Sequence, residues 1–325
     1  MDFIREPEAY YSTDLKVSTV FHGDAEVLLK KLPTDFFRCC ITSPPYWGLR
    51  DYNADGQIGA EDDPHDYIKR LVSIFEEVHR VLTADGTLWL NIGDSYTSGN
   101  RGYRAPDKKN PVRAMSYRAK TPRGLKPKDL IEIPWRVAFA LQQTGWYLRS
   151  DIIWEKPNCM PESVKDRPTR AHEYLFLFSK SLKYYYAATN VRESNGRNRR
   201  TVWSIPTEPF LGAHFATFPP KLVEPCVLAG SRPDDWVLDP FFGSGTVGVV
   251  CEQQRRKYVG IELNPKYAQL AIKRIRNTER LLFSHDRDMS KSAHAQFQIR
   301  IFSSPSTTGS SRSVRRTCLM RSCRS

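Results

Sequence analysis

The fold of this chain is decided by the stretch VLDPFFGSGTVG, residues 237–248. Apolar residues before Asp239 predict a strand, and apolar residues after Thr246 predict a helix. Between them the glycines form a Gly-x-Gly-x-x-Gly pattern, and Glu262 follows about twenty positions later, after the next apolar run. Glycines in such a turn let the backbone approach a nucleotide, and the acidic residue accepts hydrogen bonds from ribose hydroxyls. The stretch therefore predicts an α/β fold that holds a nucleoside-containing cofactor. The alternative is a plain glycine turn with a surface glutamate.

Strand and helix patterns alternate along most of the chain, which is typical of a sheet covered by helices on both faces. Seven strands are predicted, at residues 17–22, 37–41, 87–92, 147–154, 173–178, 236–238 and 258–261. A nicotinamide-dependent enzyme is the obvious rival, but its glycine turn normally opens the sheet. Here only one strand and one helix follow before the chain becomes polar, so the N-terminal strands must complete the sheet. We expect a doubly wound, mostly parallel seven-stranded sheet, with the end of strand 37–41 beside the glycine turn.

A second motif, Thr-Ser-Pro-Pro-Tyr at residues 42–46, directly follows the strand at 37–41. Its two prolines end the strand, because neither can donate to the ladder, and they stiffen the turn. The amino nitrogen of cytosine or adenine is a poor nucleophile, since its lone pair is delocalised into the ring. The Ser43 hydroxyl and the Pro44 carbonyl could accept from its hydrogens and localise that lone pair. Tyr46 offers a face for stacking, worth about 1–3 kcal/mol per base. A turn that merely caps a core strand is the alternative.

Together these motifs resemble those of the amino-group DNA methyltransferases, the family that makes N4-methylcytosine or N6-methyladenine. Residues 42–46 resemble its catalytic motif, and residues 239–246 resemble its S-adenosyl-L-methionine loop. Catalytic motif first and cofactor loop last is the order of its circularly permuted β class. Further stretches that resemble the family lie at residues 86–94, 154–157 and 214–219, within a resemblance that covers roughly residues 17–280. The resemblance implies a Rossmann-like fold and direct in-line methyl transfer to a flipped base, without a covalent intermediate on Cys39 or Cys40.

The resemblance also implies the site residues, carried over by position. The catalytic set is Ser43, Pro44, Pro45 and Tyr46. The cofactor-binding set is Asp239, Phe241, Gly243, Gly245, Thr246 and Glu262, with Asp24, Thr217 and Pro219 as further candidates. In this family Ser-Pro-Pro-Tyr goes most often with cytosine N4 and Asp-Pro-Pro-Tyr with adenine N6, so we favour cytosine N4. The chemistry leaves both bases open, because either side chain can accept from an amino group.

The net charge of +13 is concentrated in blocks, which suits a polyanionic partner such as double-stranded DNA. A solvated basic loop is the alternative. The candidate DNA-binding residues are Arg101, Arg104, Lys108, Lys109, Arg113, Arg118, Lys156, Arg197 and Arg199. We expect a catalytic domain over residues 1–283, with target-recognition insertions near 95–128 and 190–200. Residues 284–325, rich in Ser, Arg, Thr and Gln, predict a disordered basic tail.

Several protein classes are disfavoured by the composition. No apolar run approaches the ~20 residues that span a bilayer, and the N-terminus does not resemble a signal peptide. Seven cysteines without a Cys-x-x-Cys pair argue against a disulfide framework or a metal site, and favour a reduced cytoplasm. The rivals to a DNA methyltransferase are a methyltransferase acting on RNA or on a protein amide, and an inactive DNA-binding module. A cognate restriction endonuclease is a possible partner, and the oligomeric state is left open.

Overall fold

The computed structural model describes residues 15–49, 56–97, 120–208 and 218–286, with side chains described as far as residue 280. The strands are β1 Thr19–His22, β2 Phe37–Thr42, β3 Leu82–Ile92, β4 Tyr147–Glu155, β5 His172–Ser179, β6 Val202–Ser204, β7 Trp236–Asp239 and β8 Lys257–Glu262. The helices are α1 Ala25–Leu29, α2 Pro64–Val81, α3 Ile133–Gln143, α4 Pro220–Gly230, α5 Thr246–Gln253 and α6 Pro265–Asp286. Within these described ranges no helix is both long and apolar enough to span a membrane.

All eight strands form one sheet, in the order β1-β8-β7-β2-β3-β5-β4-β6. Neighbours are parallel from β1 through to β3, whereas β5 is antiparallel to both β3 and β4. Buried side chains of α1, α2 and α3 form the core on one face, and those of α4, α5 and α6 form the core on the other. The prediction of a doubly wound, mostly parallel, circularly permuted α/β sheet is therefore confirmed.

The sequence prediction missed one strand and misplaced several boundaries. The eighth strand, β6, has only three residues, which is too short to show a periodicity. The third strand was predicted over residues 87–92, but β3 begins at Leu82. Leu82 pairs with Phe37 and Thr87 with Cys39, so residues 83–86 form a bulge inside the strand. α3 begins only at Ile133, because Glu132 before it has the left-handed φ of 65°. α6 runs to Asp286, and the remainder of the predicted tail lies outside the described residues.

The two motif-bearing strands are direct neighbours, as predicted. Cys39 and Cys40 of β2 pair in parallel with Val237 and Leu238 of β7. The carboxyl ends of parallel strands lie at the same edge of a sheet, and chain order reverses between these two strands. The turn at residues 43–46 therefore leaves the sheet beside the glycine turn that follows Asp239.

Candidate active site

One cleft of about 1360 Å³, open to solvent, lies at the carboxyl ends of these strands. Its lining includes the turn at residues 43–46, residues 240–244 of the glycine turn, Thr246, Asp24 and Glu262. Asn91, Lys156 and Glu173 line the same cleft. Because both motifs line this one cleft, ligands held by the two turns would lie next to each other in it.

The glycine turn has a backbone that side chains rarely adopt, because Gly243 and Gly245 have φ angles of 52° and 78°. Glu262 at the end of β8 braces this turn. Its Oε2 accepts from the backbone N–H of Gly243 at 2.7 Å, and its Oε1 accepts from that of Asn264 at 2.8 Å. Burial raises the pKa of Glu262 to about 7. An ionised carboxylate has about four acceptor positions, and the backbone N–H groups do not fill all of them. Glu262 can therefore also accept from a ribose hydroxyl, and the residues fit a nucleoside.

The structure places five of the predicted cofactor residues in the cleft wall: Phe241, Gly243, Thr246, Glu262 and Asp24. Asp24 also begins α1, because its Oδ1 accepts from the backbone N–H of Glu26 at 2.7 Å and of Val27 at 3.2 Å. Its Oδ2 is therefore the oxygen that could bind a ligand. A side chain that caps a helix is held in one place, so Asp24 is a preorganised acceptor at the edge of the cleft.

Three other predicted cofactor residues are not part of the cleft wall. Gly245 faces α6, since a Cβ there would lie 2.8 Å from the Cβ of Ala271. Pro219 is buried at the start of α4, where its carbonyl accepts from the N–H of Leu222 at 2.9 Å, and Phe218 lines the cleft instead. Asp239 is completely buried beneath the glycine turn. Thr217 lies outside the described residues.

Asp239 links the two motifs. Its Oδ1 accepts from the Thr42 hydroxyl at 2.6 Å and from the backbone N–H of Phe241 at 3.1 Å. Its Oδ2 is buried without a hydrogen-bond partner among the described residues. Burial raises the pKa of Asp239 to about 7, although both hydrogen bonds lower it. We therefore assign Asp239 to holding the two turns together.

The turn at residues 43–46 is fixed by hydrogen bonds from several elements. The hydroxyl of Tyr67 on α2 donates to the Pro45 carbonyl at 2.9 Å. The Ser43 hydroxyl donates to the Tyr46 oxygen at 3.3 Å. The Tyr46 hydroxyl has two acceptors nearby, Glu173 Oε2 at 2.6 Å and Asn91 Oδ1 at 3.2 Å. The structure thus brings all four predicted catalytic residues to the cleft, in a turn held by β3, β5 and α2.

Glu173 and Asn91 were not found from the sequence. Glu173 lies at the start of β5, just before its apolar residues. A carboxylate in that place was the feature of the sequence that could have indicated a site residue. Burial on its own raises the pKa of Glu173, but Lys156 and hydrogen bonds from Lys156, Tyr46 and Asn91 outweigh it and lower the pKa. A buried carboxylate that stays ionised beside catalytic groups is a candidate functional residue.

Lys156, predicted to bind DNA, lies inside the cleft and not on the surface. Its side chain is only 17% exposed and forms an ion pair with Glu173, which is 16% exposed. The ammonium also lies 4.4 Å from the ring centre of Trp154. A contact to DNA phosphates is therefore disfavoured, because the ammonium is buried and already paired.

The other predicted DNA-binding residues are not brought to the cleft by the described structure. Arg101, Arg104, Lys108, Lys109, Arg113 and Arg118 lie outside the described residues. Arg197 is exposed, and the Arg199 guanidinium lies 4.3 Å from the ring centre of Trp203. Both precede the amino end of β6, whereas the cleft is at the carboxyl ends of the strands. Their role stays a prediction.

Neither cysteine of β2 is suited to nucleophilic attack. Cys39 and Cys40 are completely buried in the centre of the sheet, and burial raises the pKa of both thiols well above the usual range. A protonated, buried thiol is inert. The geometry therefore favours direct transfer between a ligand on the glycine turn and a base on the turn at residues 43–46.

Known proteins are similar to this chain in sequence and in fold. A sequence model of a family described as DNA methylase matches residues 37–273. The chain is 65% identical over 270 residues to the type II methyltransferase M.Cfr9I of Citrobacter freundii, a match that covers 82% of this chain and 90% of the relative. The fold is similar to that of PvuII DNA methyltransferase (cytosine-N4-specific), with a TM-score of 0.61 and 22% identity over 82% of this chain and 93% of that one. It is also similar to that of TTHA0409 of Thermus thermophilus complexed with S-adenosyl-L-methionine, with a TM-score of 0.60 and 24% identity over 88% of this chain and 100% of that one.

Proposed function

Because the chain belongs to the DNA methylase family and is a type II DNA methyltransferase of the N4/N6 amino type, we propose that its target is the N4 amino group of a flipped cytosine. The methyl donor is S-adenosyl-L-methionine. Adenine N6 is the alternative target. Membership of this family favours DNA over the RNA and protein-amide substrates that the motifs alone left open.

The observation that carries the proposal is the single cleft shared by the two motifs. The turn at residues 43–46 and the glycine turn leave adjacent parallel strands, and the hydrogen bond from Thr42 to Asp239 joins them. A base and a cofactor held by these two turns would be neighbours without any movement of the sheet. Placing two reactants side by side accounts for a large part of the rate acceleration in group transfer.

Each part of the cleft has a distinct task in this reaction. Bound S-adenosyl-L-methionine supplies a methyl group activated by its sulfonium charge. Glu262 and Asp24 provide carboxylate oxygens for its nucleoside, and Phe241 provides an apolar wall. On the base side, the Ser43 hydroxyl and the Pro44 carbonyl accept from the amino group, and Tyr46 stacks on the ring. Because these groups are fixed before the base arrives, they stabilise the transition state without further reorganisation.

The choice of cytosine rests on Ser43. A neutral serine is the usual partner of cytosine N4 in the family that the motif resembles. For the duplex we propose contacts from residues 95–128 and 190–200, within a catalytic domain that ends near residue 283. A restriction endonuclease for the same site is the proposed biological partner, and the cytoplasm is the proposed location.

The test is nucleoside mass spectrometry of DNA incubated with the purified protein and isotopically labelled S-adenosyl-L-methionine. Labelled N4-methylcytosine supports the full proposal. Labelled N6-methyladenine keeps the enzyme class and refutes the role given to Ser43 in choosing the base. Cofactor binding with no label on DNA contradicts the proposed activity. If parallel reactions label RNA or protein instead, that molecule and not DNA is the substrate.

A further inference from the structure

A chain of hydrogen bonds runs from the catalytic turn to a buried ion pair. Ser43 donates to Tyr46 at 3.3 Å, and Tyr46 donates to Glu173 at 2.6 Å. Glu173 in turn forms its ion pair with Lys156. The chain therefore ends on a carboxylate whose charge is balanced, so it can act only as an acceptor.

The direction of this chain follows from counting protons at Tyr46. A tyrosine hydroxyl has one hydrogen to donate. Both groups on its far side, Glu173 Oε2 and Asn91 Oδ1, are acceptors, so that hydrogen must point away from Ser43. The Asn91 amide cannot present its nitrogen there, because its Nδ2 donates to the Tyr174 carbonyl at 3.1 Å and to Glu173 at 3.2 Å. Tyr46 can therefore only accept from Ser43.

The same count fixes what Ser43 presents to the base. Its single hydrogen is committed to Tyr46, so only lone pairs are left for a ligand. We propose that Glu173 is a positioning residue that, through Tyr46, makes Ser43 a pure hydrogen-bond acceptor. The cleft then binds bases that present an amino group to Ser43 and rejects bases that present a carbonyl there. This inference rests on the proposed function and adds the reason why a neutral serine can do the work of an acceptor.

The position of the Tyr46 ring supports this role. A Cβ on Gly93 would lie 2.6 Å from Cε2 of that ring, so the strand end of β3 holds the ring closely from one side. Lys156 and the donors around Glu173 keep its carboxylate ionised, since together they lower its pKa despite burial. A charged acceptor strengthens the Tyr46 bond, and bonds in a chain polarise one another.

Replacing Glu173 by glutamine tests the direction of the chain with almost no change in shape. In Glu173→Gln the amide oxygen would stay with Lys156, because an ammonium can only donate. The amide nitrogen would then face Tyr46 and donate to it. The Tyr46 hydrogen would lose its short bond to Glu173 and keep only the longer one to Asn91 Oδ1, so it could turn towards Ser43. Ser43 could then present its own hydrogen to the base. The matched control is Glu77→Gln, which breaks the ion pair of Glu77 with Arg80 on α2 by the same chemical change.

The decisive measurement is binding rather than turnover. Duplexes would carry the enzyme's site, mapped beforehand from methylated DNA, with the target base or its carbonyl analogue, uracil for cytosine or hypoxanthine for adenine. We expect the wild type and Glu77→Gln to prefer the amino base by about tenfold or more, and Glu173→Gln to bind the two within about threefold of each other. The mismatch that the analogue introduces is the same for every protein, so it cancels in the comparison.

Turnover and folding complete the test. We expect kcat of Glu173→Gln to fall about 100-fold, with the affinity for S-adenosyl-L-methionine within about twofold of wild type by calorimetry. Tyr46→Phe removes the hydroxyl that links Ser43 to Glu173 and keeps the Glu173–Lys156 ion pair, so it should lose the same discrimination between amino and carbonyl bases. This variant provides the test if Glu173→Gln does not fold. Reduced kcat with unchanged discrimination in both variants overturns the proposal, because it would show a merely structural role. A wild-type protein that methylates no DNA would instead contradict the proposed function.

Discussion

Replacing Thr42 by valine should expose how strongly the two motif turns depend on each other. Thr42 is completely buried, and its hydroxyl donates to Asp239 at 2.6 Å. Valine keeps the shape and removes only this bond. Asp239 then keeps one hydrogen bond, from the N–H of Phe241, and its Oδ2 already has no partner among the described residues.

The expected cost depends on pH. Burial raises the pKa of Asp239 from 3.8 to about 7, so its ionised form is penalised in the folded protein and stability falls as the pH rises from about 4 to about 7. A hydrogen bond to a charged group contributes about 1.5–3 kcal/mol, against about 1 kcal/mol for a neutral one. Thr42→Val should therefore lower the free energy of unfolding by about 1 kcal/mol at pH 5.5 and by about 2–3 kcal/mol at pH 8.5.

Urea denaturation of wild type and variant at both pH values measures these differences. Thr19→Val is the matched control, because the Thr19 hydroxyl is also buried but donates to a neutral carbonyl, that of Val17, at 2.8 Å. Its cost should be about 1 kcal/mol at either pH. If Thr42→Val and Thr19→Val cost the same at both pH values, Asp239 does not depend on Thr42 and the coupling of the two turns is wrong.

Three further predictions concern the cofactor, the base and the far side of the sheet. Tyr46→Ala should lower turnover about 100-fold and leave cofactor affinity by calorimetry within about twofold, and lost cofactor binding would contradict its assignment. Glu262→Gln should weaken cofactor binding about 10–100-fold, because an amide cannot accept from both Gly243 and Asn264, and unchanged affinity would argue against that role. Burial and the nearby charge of Glu279 raise the pKa of Glu252 to about 7, so its ionised form destabilises the folded protein. Glu252→Gln should therefore raise the free energy of unfolding by up to about 3 kcal/mol at pH 8 and leave it unchanged at pH 4. Equal stability of the variant and the wild type at pH 8, measured by urea denaturation, would refute this.

The boundary between what the sequence determined and what it missed follows the range of the interactions. The glycine turn, the Pro-Pro turn and the apolar periodicities are local, since they depend on residues a few positions apart. They were enough to predict the sheet class and the pairing of β2 with β7. They failed for β6, which has three residues, and at the start of β3, where residues 82–86 were not predicted as strand and contain a bulge.

The placement of Lys156 shows the same limit at the level of one side chain. Its charge suggested a DNA contact, because charge is visible in the sequence and burial is not. The antiparallel pairing of β4 with β5 sets Glu155 opposite His172, next to Glu173, and so brings Lys156 to a buried carboxylate. Asp239 and Gly245 were expected to contact the cofactor. In the structure Asp239 accepts a hydrogen bond from Thr42, and Gly245 packs against Ala271 of α6.

By itself the sequence determined the α/β class, the two motifs and their meeting at one edge of the sheet, because glycine, proline and hydrophobic spacing act locally. Only the tertiary structure decided which groups surround Tyr46. Asn91 is 45 residues from it and Glu173 is 127 residues from it, and they reach its hydroxyl because the register of β3 against β5 sets Asn91 opposite Leu175. A register between distant strands depends on the whole core, so no short stretch of sequence contains it.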